Sequence, residues 1–98
     1  MDKFSSLSAN CLLFDLAARL GSFEGYLYAE EKVDKSYLPN WLENIEREFN
    51  CLSREVRNEI WPGYLELLKK VQTLLYKLYG DQDPVSQKVT AIISTATK

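Results

Sequence analysis

The sequence predicts an all-α protein, a single-domain four-helix bundle of up-down-up-down order. Three observations predict it. Apolar residues recur at alternating intervals of three and four along most of the chain, which puts them on one face of successive helices. The strongest turn signals, those containing Pro39, Pro62–Gly63 and Pro84, fall between these periodic stretches and leave short connections. The one stretch with strand character, "TAIIST", would have no partner strand to pair with.

The first helix is expected over 6–32. Leu13, Leu16, Leu20, Phe23 and Leu27 follow one another at spacings of 3, 4, 3 and 4, and the phase is unbroken across Gly21 and Gly25. The second helix is expected over 39–58. Pro39 suits a first helical turn, where its missing N–H is no loss, while Leu38 before it is biased out of the helix. Leu42, Ile45, Phe49, Leu52 and Val56 form its apolar stripe, with Glu43, Glu46, Arg47, Arg54 and Glu55 opposite. "EIWPGY" should end that helix, since Pro-Gly is a strong breaker.

The third helix is expected over 62–79, with Tyr64, Leu68, Val71, Leu75 and Leu78 facing one way and Leu67 and Leu74 widening the stripe. Gly80 is placed to end it in a left-handed conformation. Asp83 then reads as an N-cap and Pro84 as the first residue of a fourth helix over 84–96, with Val85, Val89, Ile92, Ile93 and Ala96 as its apolar positions.

The first helix carries a second seam: Phe4, Leu7, Cys11, Phe14, Ala18, Gly21, Gly25 and Tyr28, with large residues at its ends and small ones in its middle. It is read as lying about 100° around the helix from the first seam. Each of the two glycines costs about 1 kcal/mol relative to alanine in a helix. A neighbouring helix approaching closely over small residues would offset that cost by dispersion contacts. That helix belongs either to the same chain, where a bulky residue of the second or fourth helix would fill the groove, or to another chain. The second case makes Cys11, Phe14, Ala18, Gly21, Gly25 and Tyr28 a candidate interface. Tyr26, on the polar side near Ser22 and Arg19, joins them as an exposed aromatic contact. Phe14, Phe23 and Phe49 are otherwise expected in the core, and Trp41 and Trp61 over the two ends of the bundle.

Composition bounds the function. Ninety-eight residues with 46% hydrophobic and 27% charged content make one ordinary globular domain. There is no histidine, which removes Ser-His-Asp and Cys-His catalysis, the Glu-x-x-His di-iron motif and histidine ligation of haem. Two cysteines without histidine do not make a zinc site of the usual Cys/His type. The glycines at 21, 25, 63 and 80 form no phosphate cradle. Asp81 and Asp83 lack the glycine and distal glutamate of a calcium loop.

Asp15–Arg19, Glu43–Arg47 and Glu66–Lys70 read as surface pairs four apart. Arg47, Arg54 and Arg57 line up loosely on the second helix with glutamates interleaved among them, and Lys69, Lys70 and Lys77 on the third. With a net charge of −2, they make a solvated face rather than a nucleic-acid site. The apolar zone near the N-terminus is broken by Asp15, Arg19 and Glu24, so it is not a membrane span. "MDKFSSLSANCLLF" lacks the pattern of a secretory signal. The expected location is therefore cytoplasmic, with two free thiols; a Cys11–Cys51 bridge is the alternative.

These readings converge on a non-catalytic protein–protein interaction domain that needs no cofactor and self-associates through its first helix. The alternative is a small regulator, inhibitor or immunity-like protein that binds a different protein.

Overall fold

A computed structural model describes the backbone at 3–29 and 36–95, and the side chains at 7–27 and 36–95. Four helices are described: α1 (Lys3–Ala29), α2 (Leu38–Asn50), α3 (Arg54–Tyr79) and α4 (Pro84–Thr95). They enclose one core in a single elongated globule of 43 × 23 × 21 Å. The long helices α1 and α3 are the principal packed pair, although a square up-down-up-down bundle would set them on a diagonal. The shorter α2 packs on α1 and α4. α4 folds back along the C-terminal half of α3: Ser86 Oγ donates to the Leu75 carbonyl and Gln72 Nε2 to Thr90 Oγ1.

The expected boundary between the second and third helices, a second helix running to 58 and a third starting at 62, is wrong. α2 ends at Asn50, and α3 starts at Arg54 and continues through Pro62 and Gly63. Ser53 makes the break. Its backbone is extended, and its hydroxyl accepts from the Val56 N–H at 3.4 Å as an N-cap. The helix then survives Pro62, whose missing donor and ring clash cost about 3 kcal/mol. Val56, before the proline, and Tyr64, after it, are both fully buried, and each burial supplies roughly 1.5–3 kcal/mol. Tyr64 also stacks on Phe49 of α2 with ring centroids 4.0 Å apart.

Other ends follow the expectations more closely. Leu38 is the first residue of α2 rather than excluded from it, and Trp41 N–H bonds the Tyr37 carbonyl. Gly80 ends α3 with φ 87° and ψ 158°, an extended positive-φ conformation open essentially to glycine alone. Asp83 Oδ1 caps α4 through the Val85 N–H at 2.9 Å. Residues 30–32 and 96, at the expected ends of the first and fourth helices, lie outside the described residues.

The core face of α1 is Ala9, Leu12, Leu16, Leu20 and Phe23, with Leu13 and Leu27 half-buried beside it. Trp41 is buried edge-on against Phe23. Phe49, Tyr64 and the half-buried Trp61 form an aromatic cluster between α2 and α3. Among the described residues, no helix is long and apolar enough to cross a membrane.

Candidate functional site

The small-residue seam of α1 faces outward. Cys11, Ala18, Gly21 and Gly25 are exposed, and apart from the adjoining backbone of α1 and the flanking residues nothing described comes within 4 Å of a Cβ built on either glycine. Among the described residues no helix occupies the groove, so the expectation that the second or fourth helix fills it is overturned. Leu7 is 56% exposed. Phe14, expected in the core on one reading, is 76% exposed. The Tyr28 side chain lies outside the described residues.

The expected angle between the seams explains the error. A helix turns about 100° per residue, so Leu16 and Ala18 lie about 200° apart and the two seams occupy opposite sides of α1. The helix is apolar on both sides, one packed and one bare. Such a pattern otherwise belongs to helices surrounded by protein.

Polar residues border the stripe. On one side lie Ser8, Asp15, Arg19 and Ser22, and on the other Asn10 and Glu24. Asp15 and Arg19 hold the edge of α2 rather than forming the simple surface pair expected. Asp15 Oδ2 accepts from Trp41 Nε1 at 3.2 Å. The Arg19 guanidinium sits 5.1 Å from the Tyr37 ring centre and 5.3 Å from that of Trp41, and it donates to the Tyr37 hydroxyl at 3.4 Å. This edge fixes the rotation of α1, and with it the direction in which the stripe points. Tyr26 is half-buried against the core rather than an exposed contact.

Beyond Glu24 an open groove of about 440 Å³ runs between α1 and α3, lined by Glu24, Glu66, Lys69, Lys70, Thr73 and Leu74. Its charges are mixed, and Lys70 pairs with Glu66 at 3.3 Å as expected. Glu43 pairs with Lys88 of α4 at 3.0 Å instead of with Arg47, which donates to Asn44. The break at Ser53 puts Arg47 on α2 and Arg54 and Arg57 on α3, so these three do not share one helix face.

Cys11 and Cys51 are both free and exposed. Among the described residues, no group of three or more Cys, Asp or Glu side chains could hold a metal ion. Tyr64 is fully buried with no partner for its hydroxyl, and burial, with the Glu46 charge adding, raises its phenol well above the ordinary 10.0. Compared with protein-family models, curated proteins and solved structures, the chain matches none.

Proposed function

We propose that this chain is a non-catalytic interaction domain that self-associates through the outer face of α1. The observation that carries the reading is Phe14, 76% exposed on a stripe that continues through Leu7, Cys11, Ala18, Gly21 and Gly25. Contiguous apolar surface of this kind, rimmed by polar residues, marks interaction sites. An aromatic ring at its centre is the usual form of an interface anchor.

The magnitudes set the strength of the association. Burying roughly 150 Å² of Phe14 on each of two copies, at about 25 cal/mol per Å², supplies about 7 kcal/mol. Loss of translational and rotational freedom opposes it by an estimated 4–15 kcal/mol. A weak, concentration-dependent dimer is the expected product, not an obligate one.

Light scattering across a concentration series tests this. The wild type should rise from the monomer mass of 11.3 kDa towards twice that value. Phe14→Asp should stay monomeric with unchanged helicity, because the side chain it replaces supports no core. A wild type that stays monomeric into the millimolar range overturns self-association. The face would then belong to the alternative, a small regulator or inhibitor that presents it to a different protein.

A further inference from the structure

We infer that the partner of the α1 stripe is a second copy of this chain docked antiparallel, about a two-fold axis passing beside Ala17. This rests on the proposed self-association and specifies its geometry. Among the described side chains the stripe is graded in size: Leu7, Cys11 and Phe14 fill its N-terminal part and Ala18, Gly21 and Gly25 its C-terminal part, before the sequence returns to a large residue at Tyr28. A parallel pair sets bulk on bulk and hole on hole, so the large half holds the helices apart where the small half needs them close. An antiparallel pair sets the large half of each copy on the small half of the other. An isologous interface requires this kind of self-complementarity.

The register follows from the axis. With the two-fold at Ala17, Phe14 meets Ala18 and Gly21 of the second copy. Cys11 lies between Gly21 and Gly25 of the second copy, and Leu7 lies level with the interval between its Gly25 and Tyr28. The space above both glycines is open, with nothing described beyond the adjoining α1 backbone and the flanking residues within 4 Å of a Cβ position, so nothing in the fold must move to admit these side chains. In antiparallel helices like flank meets like flank. The same register therefore brings Asp15 level with Arg19 of the second copy, and Arg19 level with its Asp15, in a neutral quartet of alternating sign. On the other flank it brings Asn10 level with Glu24 of the second copy, where the amide donates to the carboxylate. The two flanks agree on one register, and they select the axis at Ala17 over the neighbouring one at Leu16, which the stripe alone would fit equally well. Asp15 and Arg19 are half-buried under Trp41 and Tyr37, which leaves part of each side chain open to a second copy.

Thiol trapping tests the orientation. Cys51→Ser leaves Cys11 as the single thiol. In the antiparallel dimer the two Cys11 positions stand about 18 Å apart along the axis, far beyond the span of a disulfide. Adding Gly25→Cys places a second thiol close to Cys11 of the other copy. Diamide, as the two-electron oxidant, should then convert the double variant to covalent dimer and should leave Cys51→Ser monomeric on a non-reducing gel. Peptide mass spectrometry should find each bond between Cys11 of one copy and the introduced thiol of the other. Bonds of like to like, Cys11 to Cys11 and introduced thiol to introduced thiol, in place of the mixed one overturn the antiparallel geometry and leave self-association standing. A monomeric wild type in light scattering at every concentration, with no trapped dimer from either variant, overturns both.

Discussion

Replacing Gly21 and Gly25 by alanine should stabilise the isolated chain, and the size of the gain follows from the structure. Both glycines lie inside α1 with helical backbone, and an added Cβ at either would meet nothing within 4 Å. The substitution therefore carries no steric penalty and recovers the helix propensity that glycine forfeits, about 0.8–1.0 kcal/mol at each site. The two positions are a turn apart and share no partner, so the effects should add to roughly 1.5–2 kcal/mol. For a domain of this size, 1 kcal/mol moves the midpoint by about 4–8 °C, which predicts a rise of roughly 6–15 °C for the double variant. Circular-dichroism melts and urea titrations, run dilute enough to keep the chain monomeric, read it directly. An unchanged or lowered midpoint would refute the reasoning, since it would mean that something already packs over the glycines within one chain. Gly25→Leu separates the two roles of this face. It should also stabilise the monomer, while its side chain fills the space that Cys11 and Leu7 of a second copy need, so dimerisation should be lost.

Other expectations rest on single sites. Tyr64→Phe removes a buried hydroxyl without a partner and should be neutral or stabilising by about 1 kcal/mol in urea titration. Burial raises the folded Tyr64 pKa above its unfolded value of 10.0, so its contribution is intact below pH 10 and lost as pH climbs beyond it. Wild type should therefore weaken more steeply than Tyr64→Phe in melts above pH 10. Pro62→Ala restores a backbone donor in an exposed part of α3 and should add about 1–3 kcal/mol; a loss would show that the ring's own contacts outweigh the missing donor. Ser53→Ala deletes the α3 cap and should cost about 1 kcal/mol by the same titration, with Ser53→Asp restoring most of it.

Where periodicity and burial coincide, the fold was legible in the sequence. Leu16, Leu20, Phe23, Leu42, Ile45, Phe49, Leu68, Val71, Val89 and Ile92 were expected in the core, and all are buried. The α2–α3 boundary departs from the expected one for two physical reasons. Leu52 and Val56 keep the apolar phase of α2 across the turn, so periodicity carries no trace of the break. The local signal, Ser53 with Glu55 in the following turn, was present but was outweighed by Pro62–Gly63. Proline propensity is a local term of about 3 kcal/mol, and the packing of Val56, Phe49 and Tyr64 around it is a tertiary one that no window of sequence contains. The seam on α1 is visible as a pattern of residues, and it stands about 200° from the core seam rather than the expected 100°. Whether it was covered depended on where α2 and α4 pack, which spacing alone does not give.

The two glycines set a quantitative condition on the proposed dimer. In the monomer they are a loss of about 2 kcal/mol with no compensating contact, because the space above them is empty. A ligand that binds only the folded state returns RT ln(1 + [L]/Kd), and about 2 kcal/mol corresponds to a free concentration roughly thirty times Kd. If the stripe serves self-association, the chain must work at concentrations well above its dimer Kd, or be held at such a concentration locally. The weak association worked out for Phe14 then implies local enrichment rather than dilution in bulk solution. A light-scattering Kd provides the comparison: a value far above any concentration the chain reaches leaves the glycines uncompensated by a second copy and passes the face to a tighter-binding partner.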